Sequence, residues 1–68
     1  MKKLDLHKVR HDDVERLVEN FVLLNEPPLS IVTGNSDKMQ NIVLTKLREL
    51  SMGYEKTYWG EIKIRKHT

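Results

Sequence analysis

The chain of 68 residues is 38% hydrophobic and 32% charged, with a formal net charge of +2. This composition is typical of one small globular domain, here spanning residues 1–68, and not of a disordered chain. Cysteine is absent, which excludes disulfides, thiolate nucleophiles and zinc sites built on cysteine. The basic opening residues precede no apolar run, so we expect no secretory signal, no membrane partner and a cytoplasmic location.

The first predicted strand spans residues 3–7, where charged and apolar side chains alternate. A period of two is typical of a strand with one buried face, so we expect Leu4 and Leu6 to point into the core. Asp5 and His7 then share the opposite face, with His7 at the carboxyl end of the strand.

The first predicted helix follows a short connection. Asp12 and Glu15 match a capping box that opens a helix, and apolar residues continue at helical spacing as far as Leu24. The double proline at residues 27–28 cannot extend a helix and restricts the residue before it, so we expect the helix to end there.

The middle of the chain predicts a buried strand, a glycine turn and a second helix. Residues 30–33 are mostly apolar or β-branched, and Gly34 permits a sharp turn at positive φ. Either Ser36 or Asp37 is expected to cap the helix. Unpaired amides at such a helix start lie at the positive end of the helix dipole and favour phosphate. The alternative is that Gly34 only closes a tight turn.

The last third predicts two more strands. Gly53 is expected to stop the second helix, residues 54–58 to form a strand, Trp59 and Gly60 to turn, and residues 61–65 to form the final strand. The resulting order βαβαββ predicts an α/β fold. We expect a two-layer sandwich with a mixed, mostly parallel four-stranded sheet and both helices on one face.

This arrangement predicts where a ligand binds. The carboxyl ends of the first two strands would meet at one sheet edge, which brings His7 near Gly34 at the edge where open α/β sheets bind ligands. Basic residues crowd both ends of the chain and would form one surface if the terminal strands are neighbours. Lys63 and Arg65 would then contact phosphates from the open face.

Two motifs in these strands resemble those of the small MutS-related (Smr) domain. Residues 4–8, LDLHK, resemble its LDLHG motif, and residues 33–36, TGNS, resemble its TGxG motif. The resemblance covers nearly the whole chain and implies a βαβαββ fold and a role in nucleic-acid transactions, many relatives being DNA-nicking or RNA-cleaving endonucleases. Lys8 and Ser36 stand where the family has glycines.

The candidate site residues combine both arguments. We expect His7 to act as general acid or base and Asp5 to orient its imidazole or help hold a metal. The candidates for binding nucleic acid or phosphate are Lys8, Thr33, Gly34, Asn35, Ser36, Lys63 and Arg65.

Three classes of function stay open at this point. The chain is a small endonuclease, a non-catalytic module that binds DNA or RNA, or a protein-interaction domain that keeps the fold, in which case Asp5 and His7 are merely solvated. The cofactor stays unknown, because no ligand spacing among His7, His11, His67 and Asp5 supports a divalent metal site. The oligomeric state is also open.

Overall fold

The computed structural model describes residues 2–57 and 60–67. The predicted strand end at Tyr58 and turn residue Trp59 lie outside these residues. The elements are β1 (Lys2–Asp5), α1 (His11–Leu24), β2 (Leu29–Val32), α2 (Asp37–Glu49), β3 (Met52–Lys56) and β4 (Glu61–His67). The structure therefore confirms the predicted element order and the α/β class.

The strands form a four-stranded mixed sheet in the order β1-β2-β4-β3. β1 pairs with β2 in parallel, whereas β4 is antiparallel to both β2 and β3. The prediction of a mostly parallel sheet is therefore wrong. β1, β2 and β3 do run in the same direction, but β4 returns after a short connection and inserts between β2 and β3. Only one parallel ladder remains.

Side chains from both helices and from the sheet form one hydrophobic core. Val14, Val18 and Val22 recur every four residues along α1 and are fully buried, as expected for one face of a helix. Leu6 is fully buried as predicted, while Leu4 is half-buried against the core. The other buried members are Leu29, Ile31, Met39, Val43, Leu44, Leu47, Met52, Ile62 and Ile64.

The N-cap of helix α1 lies two residues before the predicted one. Arg10 is the N-cap, and its carbonyl accepts the amide of Asp13 at 2.9 Å. The predicted capping box is wrong, because Asp12 and Glu15 both lie inside the helix. Asp12 still lies in the first turn, where its carboxylate faces the positive end of the helix dipole. The helix ends at Leu24, before the double proline, as predicted.

Helix α2 begins where the sequence predicts and ends earlier. Ser36 is the N-cap, and its Oγ accepts the amide of Met39 at 3.1 Å. The predicted stop at Gly53 is wrong, because Ser51 takes the left-handed backbone angle after the helix, φ 57°. Gly53 lies within β3. Neither α1 nor α2, the helices of the described residues, is long and apolar enough to cross a membrane.

Candidate functional site

The carboxyl ends of β1 and β2 meet at one edge of the sheet. Asp5 lies opposite Val32 in the parallel ladder, and the amide of Leu6 donates to the Val32 carbonyl at 2.9 Å. His7 follows Leu6 directly, and Gly34 lies two residues after Val32. The histidine and the glycine turn therefore belong to the same edge of the sheet.

The side chain of Asp5 interacts with the backbone of His7. Asp5 Oδ1 accepts the amide of His7 at 2.8 Å, which is an Asx-type turn. The amide of Val9 donates to the Leu6 carbonyl at 3.1 Å and closes the turn. Among the described residues no hydrogen bond joins the carboxylate to the imidazole, so the geometry assigns Asp5 to the turn. The two exposed side chains line an open groove of about 340 Å³ with Lys8 and Val9.

Lys8 follows His7 without backbone strain. Among the described residues other than glycine, only Ser51 has a left-handed φ. The turn after β1 therefore does not need a glycine at this position. Lys8 instead adds an exposed ammonium group to the groove beside His7.

The turn after β2 is hydrogen-bonded to Gly60, the residue that precedes β4. The Gly60 carbonyl accepts the amides of Thr33 and Gly34 at 2.7 and 3.0 Å, and the Thr33 hydroxyl lies 2.9 Å from the same oxygen. Thr33 is only 4% exposed, so its contacts are those of a buried structural residue. The Gly34 amide, which we predicted to bind an oxyanion, already has an acceptor.

Positions 34 and 60 both require glycine, for different reasons. Each has a left-handed backbone, with φ of 70° and 67°. A Cβ at Gly34 would meet nothing within 4 Å, whereas a Cβ at Gly60 would lie 2.5 Å from the carbonyl carbon and 2.8 Å from the Cα of Gly34. Sequence analysis identified Gly60 only as a turn residue. Its close approach to Gly34 depends on strand order, and no local sequence signal predicts it.

The amides that open α2 are available to a ligand. Among the described residues, the amides of residues 35–38 have no hydrogen-bond acceptor. They lie at the positive end of a 13-residue helix, beside the open space next to Gly34, which suits an oxyanion. Asp37 places a carboxylate in the same turn. Lys38, an exposed cation that the sequence analysis did not include, lies there as well.

Lys63 and Arg65 lie away from this edge. Lys63 pairs with Ser30, and Arg65 lies one residue beyond the last pair of the β2–β4 ladder. At about 3.3 Å per residue, these positions lie roughly 13 and 20 Å from Gly34 along β2. β2 also separates β1 from β4, so the two basic terminal strands are not neighbours.

Acidic side chains pair with some of the cations on the strands. A terminal nitrogen of Arg65 lies 2.6 Å from Glu55 Oε2, and Lys3 Nζ lies 3.8 Å from Glu61 Oε2. Lys63 is half-buried and has no ion-pair partner in the part of the chain that the structure describes. The exposed side chains of these strands are thus mixed in charge, and Lys63 remains available to an anion.

Within residues 2–57 and 60–67, no group of three or more His, Cys, Asp or Glu side chains could hold a metal ion. In the comparisons with known proteins, the chain matched no protein-family model, no curated protein and no solved structure. The function is therefore argued from the geometry of the described residues.

Proposed function

We propose that this domain binds nucleic acid and holds a backbone phosphate at the start of α2. The observation that carries the proposal is the set of amides of residues 35–38, which have no acceptor among the described residues. The dipole of α2 favours an anion there, and the open side of Gly34 leaves room for a phosphate oxygen beside the backbone. Lys38 adds a cation in the same turn.

The proposal takes the chain as a divergent Smr domain. The resemblance of residues 33–36 to the TGxG motif involves this same turn and points to the same class of ligand. We further infer the two-layer arrangement, with both helices on one face of the sheet. The single core that the helices share with the sheet supports it.

A titration of ¹⁵N-labelled protein with inorganic phosphate, and then with a short single-stranded oligonucleotide, tests the proposal by NMR. We expect the amides of residues 35–38 to shift saturably with both ligands, because they donate hydrogen bonds to phosphate oxygens. The Gly34 amide should shift less, since Gly60 already accepts its hydrogen.

Charge reversal supplies the control for this titration. Lys38→Glu should weaken phosphate binding roughly fivefold, because it replaces a cation in the first turn of the helix. Lys56→Glu changes the net charge equally but lies on β3, and it should leave phosphate binding nearly unchanged. Shifts elsewhere in the domain, with residues 35–38 unmoved, would refute the proposed site.

A second candidate function is cleavage of a phosphodiester, with His7 as general acid or base. The observation that favours it is the position of His7, exposed in a groove at the same sheet edge as the turn that begins with Gly34. An imidazole at this edge is suited to transfer a proton to or from an oxygen of a phosphodiester held at the turn. Lys8 in the same groove would stabilise developing negative charge.

Cleavage assays on supercoiled plasmid and structured RNA, with and without a divalent metal, test this candidate. If the domain cleaves, His7→Ala should lower the rate by roughly 100-fold or more with little change in affinity. Asp5→Asn keeps an acceptor for the His7 amide and should lose far less. An equal loss of binding and cleavage in His7→Ala would make the histidine a phosphate contact. A wild type that binds without cleaving would leave only the binding function.

A further inference from the structure

β4 is longer than the strand beside it. Its residues Glu61–Ile64 pair with β2, and that ladder stops at Leu29, the first residue of β2. Beyond Ile64 the strand pairs on its other side with β3 through Gly53–Lys66 and Met52–His67, and Arg65 lies at the register shift between these pairs and Tyr54–Ile64. Among the described strands, none pairs with residues 65–67 on the β2 side, so this backbone edge is open.

Two prolines, residues 27 and 28, stand where β2 would extend along this edge. Proline has no backbone N–H and cannot donate to a ladder. If β2 began earlier in the sequence, it would occupy a notch of about 440 Å³. This notch is lined by Pro28, Leu29, Lys63, Ile64 and Arg65. This volume is within the range of ligand-binding clefts.

The notch has a basic rim. Lys63 is half-buried and has no ion-pair partner among the described residues. Arg65 is paired with the carboxylate of Glu55 while its side chain stays 67% exposed, which leaves it accessible to a second carboxylate. A negatively charged segment is the complementary occupant.

We propose that this notch binds an extended acidic peptide of a partner protein by addition of a β-strand. The peptide would lie beside residues 65–67 in the line of β2. Lys63 and Arg65 are two residues apart on one strand, roughly 7 Å, which is also the spacing of alternate acidic side chains on an extended peptide.

The open edge favours a peptide over nucleic acid. An unpaired strand edge presents both N–H donors and C=O acceptors, from alternate residues, and a peptide backbone matches both. A phosphate backbone offers acceptors only. The notch also lies roughly 20 Å along β2 from the Gly34 turn, so this inference is independent of the phosphate site at α2.

NMR titration of ¹⁵N-labelled protein with three ten-residue peptides tests the inference. In the first, Glu and Thr alternate; the second has Lys in place of Glu; the third is the first with alternate amides N-methylated. We expect amides of residues 65–67 and of Leu29 to shift with the first peptide alone, because binding requires both negative charge and main-chain hydrogen bonds. Lys63→Glu should weaken it at least tenfold, whereas Arg16→Glu, on the exposed side of α1, should not.

Four results would overturn the inference. The first is the absence of shifts at residues 65–67 at millimolar peptide, and the second is equal binding of the N-methylated peptide, which would mean charge attraction without strand addition. The third is a tighter response of the same amides to oligodeoxythymidine, which would assign the notch to nucleic acid. The fourth is a dimer of the protein alone that protects these amides, which would assign the edge to a second copy. The phosphate titration monitors residues 35–38, so either result can fail without the other.

Discussion

Single residues explain how the two turns at the candidate site keep their conformation. Lys8 lies in a turn that needs no left-handed backbone. Ser36 has φ −83°, an angle that any residue adopts, and its hydroxyl caps α2. The backbone at this position therefore does not need a glycine. Gly34 is the residue of the turn that does need its freedom, because its φ is 70°.

The two left-handed glycines provide a matched test of this argument. Gly34→Ala should lower the free energy of unfolding by about 1–2 kcal/mol, because only the left-handed backbone penalises the added methyl group. Gly60→Ala should cost about 3 kcal/mol or more, since its Cβ would also overlap the backbone of Gly34. Urea unfolding measures both, with Asn35→Ala as an exposed control near zero. Equal losses at the two glycines would contradict the close approach of Gly60.

At the scale of the elements, Lys46 joins the two helices. Its Nζ lies 3.1 Å from Glu49 Oε2 on α2 and 3.5 Å from Glu19 Oε1 on α1. The hydrogen bond to Glu49 raises the pKa of Lys46 above 10.5. Burial lowers this pKa by less than the hydrogen bond raises it, and the charges of Glu49 and Glu19 raise it further. The folded state therefore binds this proton more tightly than the unfolded chain does.

The sign of the pH dependence follows from that raised pKa. The contribution of Lys46 to stability is fully present below pH 10.5 and is lost as the pH rises through the folded-state value. Lys46→Met should therefore unfold at a lower urea concentration than the wild type at pH 7, and the difference should shrink well above pH 10.5. Lys56→Met, which removes an exposed lysine of β3, is the control. A difference that is independent of pH would assign the effect to packing.

At the scale of the whole molecule, the candidate site combines three distant parts of the chain. The parallel β1–β2 ladder brings His7 to the edge that holds Gly34. The insertion of β4 beside β2 brings the Gly60 carbonyl to the same turn, where it accepts hydrogen bonds from the amides of Thr33 and Gly34. The same strand order places Arg65 at the far end of β2, so the proposed phosphate site and the basic notch lie at opposite ends of one strand.

The sequence by itself determined the elements and much of the core. The order βαβαββ, the burial of Leu6 and the cap at Ser36 follow from local rules, namely the period of apolar residues, capping chemistry and the limits that proline imposes. The observed bounds of the helices differ from the predicted bounds by a few residues where two local signals compete. In α1 the backbone becomes helical before Asp12, and Ser51 takes the left-handed position that we predicted for Gly53.

Only the tertiary structure decided which strands are neighbours, and the chemistry of the site depends on that. Strand alternation is the same for a parallel and an antiparallel ladder, so no local pattern predicts that β4 inserts between β2 and β3. The contacts of Gly60 with Gly34 follow from that insertion. Hydrogen bonds and ion pairs between residues far apart in sequence exist only once the sheet has formed, because the distances between them are set by the fold.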